Sequence, residues 1–387
     1  MFVIPDLIGN PDLSAIDGLD SRFRGDEYIM GEIKSMKSKE RVLRAIQHQE
    51  TDRIPSFFLG DNNVTVPLGK KLGVKADDFS YVTPGRMQLD EKLGCDVRFV
   101  WPPFKKGDHR WFSCGSVHAV MHGEEMVMEK MALEDAQSVE DIIKYPYWPS
   151  PDPFDYEISP DLLPYLKDNA VAAYDMFILF LYAMGMRGME NYMMDMASNP
   201  EMAHAVMSRI SAVHLERMRR FFSKNKGLID IAGIGDDVAG QNGMMFSVDM
   251  WREYIKPYLQ KAVDLCREFK VIPYFHGCGG FSELFDDMAA MGIQCVGRLQ
   301  SEARGNEFSA LKKNFGSRLC LWGAIDGQHA VIEKNADEVR EYVKNLMKIG
   351  APGGGFVAGP THAFTGDTPI ENIIAVYETL RGKRFDA

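Results

Sequence analysis

From Lys37 onward the chain alternates short apolar runs with longer amphipathic stretches. The first stretch, residues 38–47, sets Val42, Leu43 and Ile46 on one face at helical spacing, with Ser38 placed to cap its start. Thr51-Asp52-Arg53-Ile54-Pro55 breaks that helix and leads into the first apolar run, residues 56–59. Seven further runs cover residues 95–100, 170–175, 228–233, 271–275, 294–297, 319–322 and 354–357. Helical patterns occupy residues 200–223, 247–269, 281–291, 336–349 and 369–380. Strands alternating with helices form a parallel sheet, because parallel neighbours need a crossover. Eight such units in about 350 residues predict one α/β domain, a single (β/α)8 TIM barrel.

An insertion over residues 101–169 interrupts the alternation. Val117, Ala119 and Met121, then Met126 and Met128, alternate around His122-Gly123 and predict a β-hairpin. The proline-rich residues 145–153 exclude a helix there. Such a hairpin and loop region is expected to cap the barrel mouth. Residues 1–36 carry no sustained period and read as a disordered or non-native N-terminal extension, with the barrel domain spanning 37–387. Their first 29 residues resemble the translation of a short repeated genomic element, which would make Met30 or Met36 the start.

Composition narrows the class. Of 387 residues 45% are hydrophobic and 26% charged, enough for a large core in a soluble protein. No apolar run reaches the roughly 18 residues of a membrane span, so no membrane partner is expected. Six scattered cysteines suit reduced thiols in a cytoplasm better than a disulfide framework. The net charge of −11 argues against nucleic acid as a partner. No glycine-rich phosphate or dinucleotide loop follows a strand, and no Gly-x-Ser-x-Gly supports a serine nucleophile. The sequence leaves the oligomeric state open.

Catalytic groups of such barrels lie where strands end, on the C-terminal face. The fifth run ends in His276-Gly277-Cys278, which can offer a nitrogen and a sulfur to one zinc ion. His362 ends the eighth run and can supply a third ligand, leaving the open position that catalytic zinc requires. Asp236 and Asp237 leave the fourth run, and a carboxylate there can ligate, move a proton or orient a histidine. Asp96, Asp326, Gln241 and Gln300 are further polar candidates for substrate binding. Phe58, Met176 and Phe177 are apolar candidates in mouth-forming segments. The 24 methionines suggest a plastic apolar surface for an uncharged ring, although Met193, Met194 and Met196 read as core.

Residues 37–381 resemble the uroporphyrinogen decarboxylase superfamily, including its methyltransferase branch. The resemblance is carried by Lys39-Glu-Arg-Val-Leu-Arg-Ala-Ile46, Thr51-Asp-Arg-Ile-Pro55, Gly235-Asp-Asp-Val-Ala-Gly-Gln241, His276-Gly-Cys-Gly279 and Asp367-Thr-Pro-Ile-Glu-Asn372. The decarboxylases carry an arginine-rich motif after the first strand; Phe57-Phe-Leu-Gly-Asp-Asn-Asn63 has no arginine, which disfavours a polycarboxylated tetrapyrrole. The methyltransferase branch implies zinc on a His-x-Cys pair, matched by His276 and Cys278, and a later cysteine, whose place His362 takes. His362 either ligates zinc or keeps the proton-handling role it has in the decarboxylases. The segments around Gln241 and His362 are most similar to members that demethylate methoxylated aromatics or other small methylated compounds. The resemblance therefore implies a methyltransferase that uses a corrinoid (cobalamin) on a partner protein, with Asp236, Asp237 or His362 supplying a proton. Its alternative is a cofactorless decarboxylase of a small carboxylic acid.

Overall fold

The computed structural model describes residues 35–385 except 77, 81, 106–117 and 123–124, together with residues 23, 24, 27 and 28. Seven parallel strands stand side by side in chain order: β1 (Val97–Val100), β2 (Ala170–Phe177), β3 (Ile231–Gly235), β4 (Ile272–His276), β5 (Cys295–Leu299), β6 (Cys320–Ile325) and β7 (Phe356–Pro360). The first apolar run lies across the gap between β7 and β1. Ser56 bridges in parallel to Ala358, Phe57 N–H donates to the Ala358 carbonyl at 3.0 Å, and Asp96 N–H donates to the Ser56 carbonyl at 2.8 Å. The curled sheet is thereby closed as the expected TIM barrel. Its outer face is covered by helices that include Pro200–Lys224, Lys256–Phe269, Ala336–Gly350 and Ile370–Arg381. The helix expected over residues 247–269 is two, Val248–Tyr254 and Lys256–Phe269, parted at Ile255 just ahead of Pro257.

Inside the barrel, alternate strand residues build layers. Helix α1 (Ser38–Ile46) plugs the N-terminal end, where Val42, Ala45 and Ile46 join Val97, Ala170, Ile231, Cys295 and Cys320. Burying Val42 and Ile46 contributes about 1.5–3 kcal/mol each, so α1 belongs to the core. Its capping position is Lys37, which makes no side-chain cap bond; Ser38 is already helical and does not cap. Above this layer sit aromatic rings, with Phe57 stacked on Trp322 at 5.7 Å and Tyr274 beside Trp322 at 4.9 Å. A layer of Tyr174 and His276 follows toward the mouth, their rings 6.1 Å apart.

The Thr51–Pro55 motif locks α1 to the sheet. Arg41 donates to Asp52 and to Asp96 at 2.6 Å each, and Arg53 donates to Asp96 at 2.7 Å. The expected hairpin is present as His118–His122 paired antiparallel with Glu125–Lys130. The expectation for residues 1–36 falls largely outside the described residues, which include there the pair Phe23–Arg24 with Glu27–Tyr28. Among the described residues no helix is long and apolar enough to cross a membrane.

Candidate active site

The site is assembled by the register of β3 and β4. Gly235 lies opposite His276, and Asp236 N–H donates to the His276 carbonyl at 2.9 Å. A Cβ on Gly235 would stand 2.0 Å from that carbonyl oxygen, so only glycine lets the strand ends approach this closely. One residue on, Asp237 Oδ1 accepts from Cys278 N–H at 2.8 Å. The loop carrying Cys278 is held from its other side by Gln300. The Oε1 of that side chain accepts from Gly279 N–H at 2.7 Å and from Gln241 Nε2 at 3.0 Å.

These contacts bring one donor atom each from Asp237, His276 and Cys278 within 4.8 Å of one another. They border a cavity of about 230 Å³ also lined by Tyr174, Ile178, Leu181, Gly235, Asp236, Arg298 and His362. Burial, and then the Arg298 guanidinium, push the His276 imidazole well below its usual pKa, so it is neutral with one lone pair to offer. A carboxylate, an imidazole and a thiol within one small space fit zinc and leave room for a further ligand. His362 lines the same cavity from its exposed rim but is not part of the three-donor group. Desolvation of its ring and the charge of Arg298 lower its pKa, with Asp237 opposing.

Asp236 faces another way. Its carboxylate accepts from the backbone N–H groups of Leu179 at 3.0 Å, of Phe180, and of Leu181 at 2.9 Å. It thereby closes the start of the helix Phe180–Arg187 against β3. Desolvation pushes its pKa up to about 7, and the N–H donors pull in the opposite direction.

None of the seven residues expected to bind substrate lines the cavity. Asp96 precedes β1, so it sits at the N-terminal end of the barrel, fully buried between Arg41 and Arg53. Asp326 accepts from the N–H groups of Gln328, His329 and Ala330 and caps the turn of helix Ala330–Glu333. Phe58 points outward, since Phe57 takes the inward position; it packs on Tyr377 at 5.7 Å with the Arg86 guanidinium over its ring at 4.7 Å. A register shift between Ala173 and Phe177 turns Met176 and Phe177 into the outer core, where Phe177 meets His214 at 5.9 Å. Gln241 and Gln300 hold the cysteine loop. Conversely, Tyr174 and Arg298 line the cavity and were not anticipated. Arg298 follows the last residue of an apolar run, and Tyr174 occupies an inward position that strand alternation alone could have flagged.

Residues 176–382, more than half the chain, match the uroporphyrinogen decarboxylase (URO-D) family. The chain belongs to the uroporphyrinogen decarboxylase family. No curated protein matches it in sequence. Among solved structures, a methyltransferase from Methanosarcina mazei is 14% identical, covers 90% of this chain and 99% of its own, and superposes with a TM-score of 0.62, which shows a shared fold. A B12-independent methionine synthase from a Shewanella species is 12% identical over 86% of this chain and 95% of its own, with a TM-score of 0.41. An endo-1,4-beta-xylanase from Penicillium canescens is 10% identical over 84% and 99%, with a TM-score of 0.39.

Proposed function

We propose that this protein is a zinc-dependent methyltransferase that moves a methyl group between a small methylated compound and a corrinoid carried by a partner protein. The observation that carries this reading is the meeting of Asp237, His276 and Cys278 donor atoms within 4.8 Å at the barrel mouth. Asp237, His276 and Cys278 would hold the metal. Zinc, when bound, would supply Lewis acidity to the atom that loses or accepts the methyl group. Around it the chain provides orientation: Gln300 fixes the backbone of the cysteine loop, and Gly235 sets the distance from Asp237 to His276. His362, neutral near pH 7, is the rim group suited to carry a proton to or from the leaving atom. A methoxylated aromatic ring is the substrate type favoured by the sequence resemblance, and Ile178 and Leu181 give the cavity an apolar side. The corrinoid partner rests on the sequence resemblance to the methyltransferase branch, and a methyltransferase stands among the structural neighbours.

Asp236 favours one competing reading. A buried acid on the cavity wall, its pKa pushed up to about 7 by desolvation, is the group a cofactorless decarboxylase of a small acid would draw on, although its oxygens are taken by the N–H groups of Leu179, Phe180 and Leu181. The test is to incubate zinc-loaded protein with reduced cobalamin and a panel of methoxylated aromatics and follow methylcobalamin by absorbance. Methyl transfer dependent on His276 and Cys278 is expected. Carbon dioxide release from a small acid without metal, and no methyl transfer, would overturn the proposal in favour of the decarboxylase.

A further inference from the structure

Cys278 stands among glycines, in His276-Gly277-Cys278-Gly279-Gly280. Glycine has the most backbone freedom to lose, so a cysteine in such a stretch is poorly placed for a metal unless something else orders the loop. Four neighbouring elements do so through consecutive N–H groups. Gly277 N–H donates to the Gly297 carbonyl at 2.9 Å, and Cys278 N–H to Asp237 Oδ1 at 2.8 Å. Gly279 N–H donates to Gln300 Oε1 at 2.7 Å, and Gly280 N–H to the Gly240 carbonyl at 2.9 Å. The peptide planes on both sides of Cys278 are thereby fixed.

Asn306 adds a fifth tie, on the carbonyl side. It is fully buried in the turn between β5 and the helix Phe308–Phe315, where its own N–H donates to the Ala303 carbonyl at 3.0 Å. Its Nδ2 donates to the Gly279 carbonyl at 2.9 Å. The N–H and the carbonyl of Gly279 are therefore gripped by two buried amides, Gln300 and Asn306, from a single turn. Gly279 has φ +76°, and a Cβ there would stand 2.5 Å from the Gly240 carbonyl oxygen. No side chain fits, so the torsions of this residue are held by its contacts and not by its own sterics.

We propose that Asn306, together with Gln300, is a positioning residue for the metal centre, holding the cysteine loop in its metal-binding shape before any metal arrives. The consequence for zinc rests on the zinc reading of the site; the order of the loop in the metal-free chain does not. A loop ordered in advance gives up little freedom when an ion binds, so affinity comes to depend on amides that never touch the ion. Were the ion itself to order the loop, Asn306 would make no difference to the metal-free chain.

Amide hydrogen exchange on the metal-stripped full chain, read by mass spectrometry over residues 276–281, tests this without zinc. Wild type should exchange slowly there. Asn306→Leu should exchange roughly 10-fold faster, the worth of one buried hydrogen bond, with distant segments unchanged. Asn306→Asp, which keeps the size and removes the donor, gives the same reading if Asn306→Leu does not fold. In a chelator competition each variant should bind zinc roughly 10- to 100-fold more weakly. Combined with Gln300→Leu, the loss should be smaller than the product of the single losses, because both amides act on one glycine. Asn225 donates in the same way to the Tyr156 and Phe221 carbonyls at 2.8 Å each, but before β3, at the other end of the barrel. Asn225→Leu should lower the melting temperature and leave loop exchange and zinc affinity as in wild type. Wild-type exchange in a folded Asn306 variant overturns the proposal, as does a wild-type loop that exchanges as fast as the variants. Faster exchange with unchanged zinc affinity overturns the positioning role. Asn306-dependent protection in a chain that binds no zinc supports the ordered loop and counts against the zinc reading alone.

Discussion

Replacing Asp96 by asparagine separates a structural carboxylate from a substrate-binding one. The carboxylate is fully buried and accepts from Arg41 Nη1 at 2.6 Å, from Arg53 Nη1 at 2.7 Å and Nη2 at 2.8 Å, and from Ser56 N–H at 2.9 Å. Its neighbours are α1, the closing run and β1, the three pieces that meet at the base of the barrel. Removing one partner of a buried ion pair costs about 3–5 kcal/mol, because the other charge stays behind in a poor solvent. Here Arg41 keeps Asp52 at 2.6 Å, and the Arg53 side chain is 17% exposed and partly solvated. Both facts place Asp96→Asn at the lower end, about 3 kcal/mol. Denaturant unfolding followed by circular dichroism measures the loss, and ligand titration on the folded variant measures the site. A loss below about 1 kcal/mol together with weakened substrate binding would refute the structural role assigned to Asp96.

Three further outcomes follow from the same geometry. Gln300→Leu removes the acceptor that holds Gly279 N–H, and zinc affinity should fall by about 10- to 100-fold in a chelator competition, as for other outer-shell partners of metal ligands. His362→Ala should keep its zinc while losing methyl transfer; loss of zinc would make His362 a ligand instead. The Arg41 guanidinium and the Met36 N–H hold the Asp52 carboxyl below its usual range, against the desolvation that would raise it. A depressed folded pKa means that this stabilisation is complete above the ordinary carboxylate pKa of about 4 and is lost as pH falls through the lower folded value. The melting temperature of Asp52→Asn should therefore fall below wild type at pH 7 and converge with it in acid; a constant gap down to the acid limb would contradict the pairing.

The barrel was legible because its signal is redundant. Eight apolar runs, the helices between them and the order of motifs all required the same parallel sheet, and chain order fixed the strand order. The mouth was less legible, for a definite reason. Apolar runs stop at the last apolar residue, whereas the backbone ladder continues through glycine and polar residues. The sixth run was read to residue 297, but β5 continues to Leu299 and places Arg298 in the cavity. Asp236 and Asp237 are both legible as carboxylates at the mouth, but which of them meets His276 is set by β3 reaching Gly235, and that is Asp237. Asp96 was misplaced for the converse reason: it stands before its strand, and in a parallel barrel that is the opposite end from the chemistry. The outward turn of Met176 and Phe177 depends on a register shift that no periodicity encodes.

Metal content of the purified chain tests the central claim most directly. Inductively coupled plasma mass spectrometry on protein dialysed against metal-free buffer should find about one zinc per wild-type chain, the stoichiometry of a three-ligand catalytic site. Asp237→Ala, His276→Ala and Cys278→Ala should each lose most of it while Gln328→Ala, on the exposed turn before helix Ala330–Glu333, keeps it. Wild-type protein that holds no zinc after loading, or three variants that all retain it, would contradict the account.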